Sequence, residues 1–183
     1  MKKLAWKKVN GEKIENINDY VLNYVKNIDN GSKVIVGCDS DSHMHRTKYA
    51  VTVVFYNENK KKGAHVVYAT YTEPKVKDLV TKLWNEVYLA HSVAESINEK
   101  LIEIDYKHKF DTNLYDGSTP NKLVEIHVDL NASKNTRNGA KLSDNKSNKV
   151  YTAVMGWLCG DKYKVMSKPD SFASSSASDR LCK

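Results

Sequence analysis

At Pro74 the hydrophobic pattern of this chain changes period. Downstream, Leu79, Leu83, Val87, Ala90, Ala94, Ile97 and Leu101 recur every three or four residues, the spacing of one face of a long amphipathic helix of about seven turns. Another β-rich run, from Leu123 to Leu130, follows it after a polar stretch punctuated by Asp116-Gly117 and Pro120. A long helix lying before a new strand is a crossover, so that strand can lie parallel to the first strand of the chain.

Upstream of Pro74 the reading is α-β-β-β. Apolar residues at helical spacing predict a helix over about 18–28, stopped near Asn30-Gly31 by turn residues. Lys33 to Asp39 is a β-branched run too apolar for an edge and ends at an aspartate, which predicts a central strand. Tyr49 to Tyr56 and His65 to Thr72 flank Asn57-Glu58-Asn59-Lys60-Lys61-Lys62-Gly63, a hairpin with a basic tip. Past the crossover, Asn131 to Lys149 is rich in Asn, Ser and Lys and reads as a mobile loop. A helix over about 150–158, a strand over Tyr163–Met166 and a small-residue helix over about 170–181 complete the chain. The expected architecture is mixed α/β, a five-stranded mixed sheet of three antiparallel and two parallel strands with helices on both faces. The 183 residues suit one domain, with 1–30 as an N-terminal helical extension.

Composition narrows the class of function. Hydrophobic residues are 40% and charged residues 28%, as in globular proteins. There is no apolar run of membrane length and no apolar signal core after Met1, so a cytoplasmic location is expected. Cys38, Cys159 and Cys182 have no CxxC spacing, against a disulfide framework or a structural zinc site. Lys and Arg number 29 against 22 Asp and Glu, a formal charge of +7. That excess fits a polyanionic partner such as nucleic acid, and equally a small basic protein with none.

The carboxylates give the charge a context. Sites in open α/β sheets form at the carboxyl ends of adjacent parallel strands. Asp39 ends the first strand and Asp129 the fourth, so if those strands are neighbours two carboxylates meet at one edge. Glu86 lies at the margin of the apolar stripe of the long helix, where it either meets a cation or turns to solvent. Asp179, on the last helix, is either a fourth member or a surface partner of Arg180. Together the four would make an oxygen-rich nest for hard cations such as Mg²⁺ or Mn²⁺. Two such ions, about 3.5–4 Å apart, can activate water and stabilise a leaving phosphodiester oxygen.

The element order resembles the RNase H-like fold. Four stretches are similar to the bacterial YkuK-type family of predicted RNase H-like nucleases: Val36-Gly37-Cys38-Asp39-Ser40, Leu83-Trp84-Asn85-Glu86, Ile126-His127-Val128-Asp129, and Lys168-Pro169-Asp170-Ser171-Phe172-Ala173-Ser174 continuing to Ala177-Ser178-Asp179-Arg180. The resemblance implies a metal-dependent nuclease acting on RNA, an RNA–DNA hybrid or structured DNA through two metal ions. It implies Asp39 as the ligand shared by both ions, Glu86 and Asp129 on the leaving-group side, and Asp179 on the side of the attacking water. The chain departs from the family at Asp41, where a Gln-like residue is expected, and in a longer loop over 131–149. The extra carboxylate could shift metal occupancy, and the loop could extend the substrate contact.

Ser40, His43, Lys168, and Lys134, Arg137 and Lys141 of the basic loop are the expected substrate contacts. Outside that assignment, His43 and His45 are residues of an exposed polar loop, and Lys168 is a loop lysine before Pro169. His127 shares its strand face with Asp129 and reads as a packed, hydrogen-bonded histidine, and Lys60–Lys62 as a solvated tip. A nucleic-acid-binding module without catalysis fits the same fold. A nucleotide-binding role is disfavoured, since no GxxxxGK[ST] phosphate loop is present.

Overall fold

The computed structural model describes residues 4–28, 32–57, 63–103, 122–131 and 146–182. In chain order these form β1 (Ala5–Lys8), β2 (Lys13–Ile14), α1 (Ile17–Asn27), β3 (Ser32–His43), β4 (Arg46–Asn57), β5 (His65–Pro74), α2 (Leu79–Glu103), β6 (Val124–Asn131), α3 (Lys146–Gly160), β7 (Lys164–Lys168), a π-helical turn (Ala173–Ser178) and α4 (Asp179–Cys182). One mixed sheet has the order β2-β1-β5-β4-β3-β6-β7. As expected, β6 pairs parallel to β3, and β7 parallel to β6, while β3, β4 and β5 form the antiparallel meander.

β3 is covered on both faces, which is why its sequence is nearly continuously apolar. Val34, Val36 and Cys38 join the main core, with Val21 and Val25 of α1, Val87, Val93 and Ile97 of α2, and Val154 and Leu158 of α3. Ile35 points the other way and packs with Val54 and Ala173, beside Tyr56, Val66 and Phe172. Thus α1, α2 and α3 cover one face and the C-terminal helical segment the other.

The sheet is wider than the five strands expected. Residues 5–14 are a small antiparallel pair added to β5, with Trp6 opposite Ala69, and not part of a helical extension. Trp6 is the one large aromatic in a Lys-rich stretch and is 5% exposed; pairing there buries it and covers an otherwise open sheet edge. Several boundaries also shift. β3 runs past Asp39 to His43 because β4 begins at Arg46 across a tight turn, with Met44 at φ 42. α3 starts at Lys146, inside the segment expected to be loop, and β6 includes Asn131. Residues 170–181, expected as one helix, begin with a turn and then a π-helical segment. The basic tip Lys60–Lys62 and loop residues Lys134, Arg137 and Lys141 lie outside the described residues.

Gly37 seats the C-terminal segment on the sheet. A Cβ there would stand 2.5 Å from the Ala173 carbonyl carbon and 2.6 Å from the Ser174 nitrogen; these are backbone atoms, which cannot swing aside. Gly37→Ala is therefore expected to cost about 2–3 kcal/mol by overpacking, measured as a lowered denaturant midpoint at unchanged slope. An unaltered midpoint would contradict this close seating.

Candidate active site

The β3·β6 ladder runs from Val34↔Val124 to Gly37↔His127. Asp39 and Asp129 each lie two residues beyond that last pair. The matching level expected from chain order is present, but its cause differs: neither residue ends its strand, since β3 continues against β4 and β6 reaches Asn131, opposite Lys168. The pairing between the two strands stops instead, and the register of β6 with β7 is irregular between His127 and Asn131.

Adjacent residues of β3 serve opposite faces of the sheet here. Asp39 points toward the C-terminal helix, where its carboxylate, that of Asp179 and the Cys182 thiol offer donor atoms all within 4.8 Å of one another. Ser40 points toward α2: its hydroxyl donates to Glu86 Oε1 at 2.5 Å, its N–H donates to Asp39 Oδ1 at 2.8 Å, and its carbonyl accepts from Lys82 Nζ at 2.8 Å. Glu86 is only 5% exposed, so of the two readings left open for it, the inward one is correct. It lines a crevice with Cys38, His127 and Asp129. Asp129 Oδ1 is 2.5 Å from the ammonium of Lys168.

The carboxylates feel one another. Burial, then the charges of Asp129 and Asp179, push Asp39 up to about 6, against the Ser40 N–H and Lys82, which lower it. Burial, then Asp39 and Asp129, push Glu86 up to about 8, although the Ser40 hydrogen bond and Lys82 oppose the rise. Burial also carries the Cys182 thiol to about 12, with Asp39, Asp179 and Asp41 adding to it. The centre is thus an acidic site, with Lys82 and Lys168 among the cations that reach it. Its donors are mainly hard carboxylate oxygens, and one carboxylate already holds an ammonium at contact distance, so the set fits a divalent cation.

The other expected contacts divide. Lys168 reaches the centre through Asp129 and keeps a part-exposed side chain. Ser40 is 7% exposed with its polar groups committed internally, so it positions Glu86 and Asp39 in place of the substrate contact expected. His43 is exposed at the β3–β4 turn, its Nε2 3.0 Å from Asp41 Oδ2. Asp41 also accepts from Ser42 N at 2.8 Å, and its charge helps to raise the Cys182 thiol. His127 is the packed residue expected: 1% exposed, it accepts from Ala173 N at 3.3 Å and meets Phe172 edge-on.

Three participants escaped the sequence reading, and each left a signal. Gly37 interrupts a β-branched run, a mark of close backbone approach. Lys82 and Glu86, and likewise Asp179 and Cys182, are four and three residues apart on a helix and so share a face.

No curated protein matches the chain. A family model described as Ribonuclease H-like matches residues 13–183, from β2 through α4, a span that holds all four carboxylates and is consistent with the YkuK-type resemblance. The chain belongs to the ribonuclease H-like family.

Proposed function

We propose that this protein is a metal-dependent nuclease that hydrolyses phosphodiester bonds in RNA, an RNA–DNA hybrid or structured DNA, with Asp39, Glu86, Asp129 and Asp179 holding two Mg²⁺ or Mn²⁺ ions. The observation carrying the proposal is the acidic group where the β3·β6 ladder stops: Asp39 offers a donor atom within 4.8 Å of one from Asp179, and the charge of Asp129 helps to raise the Asp39 carboxyl. Bound ions would supply an activated water and stabilisation of the leaving oxygen. The protein's own groups do the rest. Ser40 and Lys82 fix Glu86 and the β3 backbone, and Gly37 lets the C-terminal helix bring Asp179 to Asp39. Lys168 offers a cation for a phosphate oxygen approaching from the Asp129 side, and the loop bearing Lys134, Arg137 and Lys141 extends the backbone contact. Residues 1–183 act as one domain in this reading.

The test is a panel of labelled RNA, hybrid and branched DNA substrates with Mg²⁺ or Mn²⁺. Cleavage by the wild type should require metal and vanish in the combined Asp39→Asn, Asp129→Asn variant. Turnover that survives both changes removes the proposal. Salt-sensitive binding without cleavage, unaffected by the two changes, would leave a binding module in its place.

A further inference from the structure

The geometry points to Cys182 as a sulfur ligand of this centre, making with Asp39 and Asp179 a two-oxygen, one-sulfur set that favours a borderline cation such as Zn²⁺ or Co²⁺ over Mg²⁺. The inference rests on the metal-centre reading above and deepens it. Cys182 Sγ lies 4.0 Å from Asp39 Oδ2, and the three donor atoms are within 4.8 Å of one another. An ion in tetrahedral coordination with bonds of about 2.0–2.3 Å to oxygen and sulfur sets its donors about 3.3–3.8 Å apart, so the three donors, now up to 4.8 Å apart, would draw in by up to about 1 Å on binding. Cys182 follows Asp179 by three residues in the same helical segment, which puts both side chains on the face turned toward β3.

The thiol is 2% exposed, and its packing neighbours are the groups of the centre: Asp39 Oδ2 and, at 3.3 Å, the Asp179 carbonyl. Thiolate sulfur suits Zn²⁺ and Co²⁺, whereas Mg²⁺ takes oxygen alone and holds its water. On binding, a sulfur–metal bond replaces the S–H bond, the proton leaves to buffer, and no electron is transferred.

The experiment is a Co²⁺ titration of the metal-stripped full chain, followed by thiolate-to-Co²⁺ charge-transfer absorption and, in parallel, by calorimetry with Zn²⁺ and Mg²⁺. The absorption should appear in the wild type and in Cys159→Ser and Cys38→Ala, and be missing from Cys182→Ser and Cys182→Ala. Zn²⁺ affinity should fall by about tenfold or more in both Cys182 variants, with Mg²⁺ affinity nearly unchanged. Calorimetric Co²⁺ binding without the absorption, or absorption that persists without Cys182, overturns the inference and leaves the carboxylate centre standing. A wild type that binds none of Mg²⁺, Mn²⁺ and Co²⁺ overturns both.

Discussion

In the nuclease proposed above, Asp39→Asn is expected to lower metal-dependent hydrolysis at least about 10³-fold, roughly 4 kcal/mol of lost transition-state stabilisation, while leaving the metal-free protein as stable as the wild type or more so. Asn has the same shape and keeps a carbonyl oxygen for the Ser40 N–H that now donates to Oδ1 at 2.8 Å. The substitution therefore removes charge and little else. That charge is the one to which the rest of the centre is coupled: Asp129 and Asp179 raise Asp39, Asp39 raises Glu86, and the Cys182 thiol sits beside it. Removing it relieves repulsion in the absence of metal and takes away the donor between the Asp129 and Asp179 sides when metal is present. Single-turnover rates at saturating Mn²⁺ and thermal melts in chelator separate the two effects. A rate within about tenfold of the wild type would remove Asp39 from the machinery, and a large fall in melting temperature would make its role structural.

The parts of this centre that were legible in the sequence are those set by local pattern and chain order. The long apolar period after Pro74 marked α2 and the crossover, and the crossover made β3 and β6 parallel neighbours, which is enough to bring Asp39 and Asp129 to one level. Glu86 was visible as an anomaly at the edge of a stripe, but its depth was not, because that depends on the Ser40 hydroxyl arriving from a strand 46 residues away in sequence. The end of the β3·β6 ladder was not legible either. β3 keeps its extended form by pairing with β4, so nothing in its composition marks where pairing with β6 stops. The N-terminal strands are too short to show a period, and only their docking on β5 makes them strands.

Glu86→Gln tests the depth of that burial. Glu86 has its folded pKa raised from the model-compound 4.5 to about 8, chiefly because its carboxylate is removed from water. A carboxyl shifted upward in the folded state holds its proton there after the unfolded chain has lost it. Stability of the metal-free protein is therefore unaffected by this group below about pH 4.5, falls as pH rises from there toward 8, and is fully reduced above 8. At about 1.4 kcal/mol per pH unit, the loss at pH 8 is on the order of 4 kcal/mol. Gln cannot ionise and its carbonyl can still accept from Ser40, so the variant should be the more stable protein at pH 8 in chelator and equal to the wild type at pH 4. Divalent metal should reverse the order, since a cation offsets the buried charge of Glu and gains much less from Gln. Chemical denaturation at pH 4 and pH 8, with chelator and with Mn²⁺, reads all four conditions. If the wild type is as stable as Glu86→Gln at pH 8 without metal, the Glu86 charge is already compensated within the protein by Lys82 and Ser40, and the centre has less need of a cation than its carboxylates imply.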